Sequence, residues 1–370
     1  MRLAYAVLWC VILPATVAAA AMDAAALAKQ AQEARESGRL EESIELYGRA
    51  FRAGLSDPEA LWYQGLNFYD LDRYAEAEEM FRRLVEKTPK HAGAQALLGL
   101  CEFRGGRYRE AFGHLMEATK LGLPPGTELS RITRYHLVAL TNKLGQFELA
   151  SSLLAELVRT WPDMPDLREM AGLSSLRLPL LPKEIAAADR ERVELAGRAA
   201  VLAWRSKLDE ALAAADELLE KYPAQPNAHY LKGYILLLKH TPEAVEEFRK
   251  ELEISPNHVP ARLQIAYERL QRGDADGGLP YAKRAVELAP NDFTAWDIYG
   301  RLLLEANRVE EAVRALEKAV RLAPESAEVH FHLATAYSRA GRKEDAARHT
   351  RAFRELKKAA AEREAVISAP

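Results

Sequence analysis

Along most of this chain, apolar residues recur at the three-to-four-residue spacing of an amphipathic helix, and polar turns interrupt them at regular intervals. The pattern itself repeats. Laying the chain on itself at a spacing of 34 residues superimposes Gly65 on Gly99, Ala77 on Ala111, and Phe81 on Leu115. One unit begins near Ala24 and the next at Pro58, each with two helical stretches parted by a turn at Gly38 or Asp72. A third begins at Ala92, with Leu98, Gly99, Gly106, Tyr108, Ala111, Leu115 and Ala118 in register. After the extra residues Gly122 to Gly126, a fourth begins near Arg131, marked by Leu137, Gly145, Phe147, Ala150, Leu154 and Pro162. Later units start near Arg192, Pro226, Val259, Phe293 and Ala327. The prolines at their ends, Pro223, Pro256, Pro290 and Pro324, are spaced by 33 or 34 and stop the second helix of each unit.

These residue types suit two antiparallel helices in close contact. Small residues at Gly65, Gly99, Gly300, Ala266 and Ala334 let the second helix approach the first, and Ala77, Ala111, Ala150, Ala211, Ala244, Ala312 and Ala346 do so from the other side. Phe81, Leu115, Leu154, Phe248 and Leu316 are expected to fill the gap toward the following unit. A single helical hairpin cannot bury its apolar face, so the units must stack.

At this point the chain resembles the tetratricopeptide repeat, whose pattern is W-x2-L-G-x2-Y, then A-x3-F, then P. Trp296, Tyr299, Gly300, Ala312, Leu316 and Pro324 match one unit, and Leu61, Gly65, Phe68, Ala77, Phe81 and Pro89 another. The resemblance runs from about Ala24 to about Ala360 and implies an all-α, right-handed α-solenoid of about nine or ten stacked antiparallel helix pairs with an irregular centre. The expected organisation is a signal peptide at 1–21, solenoid halves at 22–177 and 191–360, a proline-containing connection at 178–190 and a tail at 361–370. Two places depart from the pattern. A unit starting near Pro165 has a first helix with Met170, Gly172 and Leu176, then runs into Leu178, Pro179, Leu180, Leu181 and Pro182, which cannot continue a helix. That stretch is either a degenerate unit with a packed apolar loop or a hinge between the halves. At Asp276, Gly277 and Gly278, followed by Pro280, the helix is expected to be locally weak.

Composition narrows the functional classes. Lys plus Arg number 51 against 54 Asp plus Glu, which leaves no electrostatic footprint for a nucleic-acid partner. Met1 to Ala21 reads as a secretory signal: Arg2, an apolar run from Leu3 to Leu13 too short to span a bilayer, Pro14, then Ala18 to Ala21 for cleavage. Trp9 before Cys10 argues against lipidation, and once the signal is removed Cys101 remains without a disulfide partner. No membrane span is expected in the mature chain. No H-E-x-x-H, G-x-S-x-G, Walker loop or paired C-x-x-C occurs, and His330 with His332 read as packing or surface residues, so neither enzyme, metal nor cofactor is expected.

In the resembling family the first helices line a concave face. By helical position, the residues expected there as a partner-binding groove are Trp62, Tyr63, Tyr69, Phe103, Tyr135, His136, Tyr230, Tyr234, Tyr267 and Phe331. Aromatics give large contact area at little entropic cost, which suits an extended or helical peptide. Lys29 alone does not make the family's carboxylate clamp. The expected function is a non-catalytic protein-interaction scaffold of the bacterial cell envelope, periplasmic or extracellular, with a protein or peptide partner. The alternative is a glycan-binding module, for which Asp70, Asn142 and Asp297 are the polar candidates.

Overall fold

The computed structural model describes residues 23–162, 164 and 166–367, with side chains through Glu362. The expected signal peptide, its cleavage site and Cys10 lie outside the described residues. Within them are nineteen α-helices and no strand, and no helix among them is long and apolar enough to cross a membrane. The chain divides between Ala187 and Ala188 into two compact units.

The first unit pairs α1 (23–36) with α2 (Leu40–Arg52), α3 (Pro58–Asp70) with α4 (Tyr74–Lys87), α5 (Ala92–Arg104) with α6 (Tyr108–Leu121) and α7 (Glu128–Lys143) with α8 (Phe147–Thr160), then adds α9 (Leu167–Ser175). The second pairs α10 (Arg190–Trp204) with α11 (Leu208–Lys221), α12 (Ala228–Leu238) with α13 (Ala244–Ile254), α14 (Val259–Gln271) with α15 (Ala275–Leu288), α16 (Phe293–Glu305) with α17 (Val309–Leu322) and α18 (Ala327–Arg339) with α19 (Lys343–Ile367).

Local chemistry sets the ends of these helices. First helices start on capping side chains: Asp57 accepts from Glu59 N at 3.1 Å, Thr127 from Ser130 N at 3.3 Å, and Asp292 from Thr294 N at 2.9 Å. His91 and His258 do the same through Nδ1, accepting from Ala94 N and Ala261 N at 3.0 Å each. The turn inside each hairpin needs one left-handed residue, supplied by glycine at Gly38, Gly106, Gly145, Gly273 and Gly341 and by Asp72, Ser206, His240 and Asn307 elsewhere. Second helices α4, α11, α13, α15 and α17 each stop two residues before a proline, because the residue preceding proline is pushed out of helical geometry.

Packing inside each hairpin is tight. A Cβ at Gly65 would lie 2.6 Å from the Phe81 ring, at Gly99 2.8 Å from Leu115, at Gly233 2.7 Å from Phe248, and at Gly300 2.6 Å from Leu316. The large second-helix residues therefore press first onto the glycine of their own hairpin, not only toward the following unit as the repeat alone suggested. Phe81, Leu115, Leu154 and Leu316 are fully buried, each contributing about 2 kcal/mol over an exposed position. Phe81 and Leu115 also join one core with Leu97 and Leu98 of α5 and Leu137 and Leu140 of α7. Around Gly277 and Gly278 the helix runs unbroken from Ala275 to Leu288. Asp274 caps it through Gly277 N at 2.9 Å, and Gly278 admits Leu302, whose methyl would stand 2.6 Å from a Cβ there.

After α9 the chain turns left-handed at Arg177 and forms short 3-10 turns at Pro182–Glu184 and Ala187–Asp189. Leu181 and Ile185 are buried. Glu184 accepts from Leu181 N at 2.7 Å and pairs with Lys143 of α7 at 2.8 Å, fixing the first of these turns on the first unit.

Candidate functional site

In the second unit neighbouring first helices pack on one another, α10 on α12, α14 on α16 and α16 on α18, whereas α12 with α14, like consecutive second helices, makes at most marginal contact among the described residues. Side chains along these first helices that no neighbouring helix fully covers stay partly in water, as Phe331 does even though it touches Phe353 of α19. Leu237 and Leu238 on α12, Tyr267 on α14 and Phe331 on α18 are accordingly exposed, Phe331 by 50%. Large apolar side chains left in water on adjoining elements mark an interaction surface more than an isolated exposed residue does.

Polar groups sit among them. Asp297, nearly buried on α16, accepts from His332 Nδ1 at 2.7 Å, and Arg301 stands 3.7 Å from its other oxygen. The Arg301 guanidinium lies over the Tyr267 ring at 5.7 Å and donates no hydrogen bond among the described residues, so its N–H groups are available to a ligand. On the other flank Arg339 donates to Leu304 O at 2.9 Å and faces Glu305 at 3.9 Å. Between these groups lies an open cavity of about 250 Å³, lined by Leu270, Arg301, Leu304, Phe331 and Thr335 among others. A mixed lining, in which Leu270, Leu304 and Phe331 alternate with Gln271, Glu305, His332 and the two arginines, suits an amphipathic polypeptide side chain whose neighbouring carbonyls or carboxylates meet Arg301.

The ten residues expected in the groove divide between seams and surface. Trp62 stacks on His91 at 4.9 Å and meets Phe81 edge-on at 5.8 Å, so it lies in the seam to the next hairpin. Tyr230 repeats this arrangement with His258, 4.8 Å away, and Phe248. Tyr63 packs beside Tyr47 in another core cluster. Tyr69 and Phe103 are half-buried against the core of the first unit, and burial pushes the Tyr69 hydroxyl up to about 12. Tyr135 donates to Asp166 at 2.9 Å, and His136 packs edge-on against Phe103 at 4.7 Å. Tyr234 is half-buried on α12. Tyr267 and Phe331 are the two of the ten that stand exposed. Sequence position had not singled out Leu237, Leu238, Arg301 or Arg339; their shared place on first helices was the available signal.

The polar candidates for a glycan are engaged within the protein. Asp70 pairs with Arg35 at 2.8 Å, Asn142 is buried and donates to Met170 O at 3.0 Å, and Asp297 is held by His332. Among the described residues no three His, Cys, Asp or Glu side chains converge to hold a metal. Cys101 is buried, and burial pushes its thiol up to about 12.

Two histidines make folding pH-dependent. His136 is held below the usual imidazole range by burial and by Arg104, and His349 by burial, by His330 at 2.9 Å and by Arg348. With both folded pKa values depressed, the unfolded chain takes up protons first as pH falls through about 6.5, so stability is present above that pH and lost below it. The thermal midpoint is expected to be lower at about pH 5.5 than at about pH 7.5, and His349→Gln to flatten the dependence of the second unit. A midpoint that rises on acidification would contradict the buried neutral rings.

A family model described as tetratricopeptide repeat matches residues 28–79, 64–122, 201–259 and 263–315, and a second of that description matches 303–351. No curated protein matches the chain. Similar solved structures include MamA from residue 41 to its end from Desulfovibrio magneticus RS-1, 26% identical, TM-score 0.42, covering 47% of this chain and 97% of that one. The MamA RS-1 ArsTM double mutant is likewise 26% identical, with TM-score 0.43 over 46% of this chain and 96% of its own. YrrB, a TPR protein with an unusual peptide-binding site, is 23% identical, with TM-score 0.41 over 46% of this chain and 91% of its own. At these scores they place no ligand on this chain.

Proposed function

The chain belongs to the tetratricopeptide repeat family, and on that premise we propose that it is a non-catalytic scaffold that holds a polypeptide segment against the first-helix face of its second unit. The observation that carries this reading is the set of large apolar side chains left in water on α12, α14 and α18, with the open donors of Arg301 among them. Tyr267 and Phe331 are the anchors, and Arg301 fixes the peptide's polar groups. The pattern of Met1 to Ala21 supports export and hence a role in the cell envelope, periplasmic or extracellular. A mature N-terminus near Ala20 or Ala21, read by mass spectrometry on protein from the envelope fraction, is the corresponding check; an intact Met1 there removes the support for export.

The binding test selects peptides from a displayed random library on the full mature chain, then measures a labelled winner by fluorescence anisotropy. Tyr267→Ser with Phe331→Ser should keep the circular dichroism of the wild type and weaken the peptide by about tenfold or more, as loss of two aromatic anchors does. Enrichment of peptides whose affinity the double variant leaves unchanged would move the site elsewhere, and failure to enrich any would sink the scaffold reading.

A further inference from the structure

On the side of α16 away from Asp297 and Arg301, a second cleft of about 370 Å³ opens between α16 and α17. Trp296 and Tyr299 line it, set edge to face with ring centroids 6.4 Å apart, and the Trp296 indole is fixed by donating to Pro290 O at 2.9 Å. Along its rim α17 carries Arg314, Lys318 and Arg321, spaced so that all three share one helix face. None of the three is in an ion pair among the described residues. The carboxylate in the lining, Glu311, is already taken by Arg308, through Nε at 2.8 Å and a terminal nitrogen at 2.6 Å. Like charges at this spacing repel and weaken a helix, whereas Arg342 and Lys357 on the next hairpin are matched by Asp345 and Glu328.

We propose that this cleft binds an acidic polypeptide segment. An aromatic or aliphatic side chain enters onto Trp296 and Tyr299, while Asp or Glu carboxylates on either side meet Arg314, Lys318 and Arg321. Charge complementarity selects this occupant: the cleft sets three cations that are in no ion pair among the described residues around an apolar floor, in a chain whose net charge of −3 gives no general attraction for anions. The site is independent of the first-helix face, so both sides of α16 can be occupied together.

The experiment uses the full mature chain and a fluorescein-labelled peptide with a central Phe flanked by Glu and Asp. Binding is expected to weaken with salt, to vanish when the acidic residues are replaced by Gln and Asn, and to drop about tenfold or more in Arg314→Glu with Lys318→Glu. A control pair with the same change in net charge, Lys283→Glu with Lys343→Glu on α15 and α19, should bind within about twofold of wild type, since screening limits distant charges. The Tyr267→Ser, Phe331→Ser protein should bind the acidic peptide as wild type does. Equal loss in both charge-reversed pairs, binding of the Gln and Asn peptide, or displacement by inorganic phosphate well beyond that by sodium chloride at the same ionic strength would each overturn the proposal. So would loss in the Tyr267, Phe331 variant, which would put the acidic peptide on the first-helix face.

Discussion

Glu251→Ala should destabilise the second unit by about 2 to 4 kcal/mol, the cost of removing a buried acceptor from two backbone donors. Glu251 is fully buried on α13, and its two oxygens accept from Asn227 N at 2.9 Å and Tyr230 N at 3.3 Å, at the start of α12. Asn227 is left-handed, with φ 70°, and its side-chain oxygen accepts from His258 Nε2 at 2.8 Å, which in turn leaves His258 Nδ1 free to cap α14. One carboxylate thus anchors the ends of two first helices. Glu251→Gln keeps the shape but swaps one acceptor for a donor and should lose roughly half as much. For contrast, Glu328→Ala breaks a pair with Lys357 in which both side chains are largely exposed, and should cost less than about 1 kcal/mol. Urea unfolding followed by circular dichroism measures all three, and equal losses for Glu251→Ala and Glu328→Ala would show that the buried network contributes nothing.

Gly99→Leu should destabilise the first unit by about 1 to 3 kcal/mol through overpacking. Gly99→Ala decides the mechanism, because two effects oppose. Alanine gains up to about 1 kcal/mol in helix propensity over glycine. Its Cβ, however, would stand 2.8 Å from Leu115 Cδ2 and 3.1 Å from the Ala111 carbonyl oxygen. The leucine methyl can rotate but the carbonyl belongs to the backbone of α6, so the clash outweighs propensity and the variant loses stability. Combining Gly99→Leu with Leu115→Ala should cost less than the sum of the two by about 1 kcal/mol or more, since the new side chain fills the space the old one left. Strict additivity would mean that the two positions do not touch.

Of these variants, Glu251→Ala bears on the proposed binding face, through the first helices of the second unit. Tyr230 donates its backbone N–H to Glu251, on the helix that ends in Leu237 and Leu238. Loosening that anchor should therefore weaken peptide binding as well as folding, while Gly99→Leu, in the first unit, should leave binding at Tyr267 and Phe331 unchanged.

The sequence by itself determined the period, the start of each hairpin, the glycine and alanine contacts and the proline stops. These features depend on residues one or two helical turns apart, or on a partner helix one short turn away, and the same local chemistry recurs in every unit. The aromatic residues were legible as a set on first helices, but only the tertiary structure decided which of them face water. Trp62 and Tyr230 are half-covered because the cap of the next hairpin happens to be histidine, and the tilted rings of His91 and His258 lie against them. Phe331 stays half-exposed although Phe353 of α19 and its neighbour His332 lie beside it at 5.4 and 5.8 Å. Arg301 likewise became part of a site only when α14 and α16 packed and brought it over Tyr267. Helical period assigns a side chain to a face, but its exposure is set by the neighbour that reaches it from another helix, and that neighbour is chosen by packing.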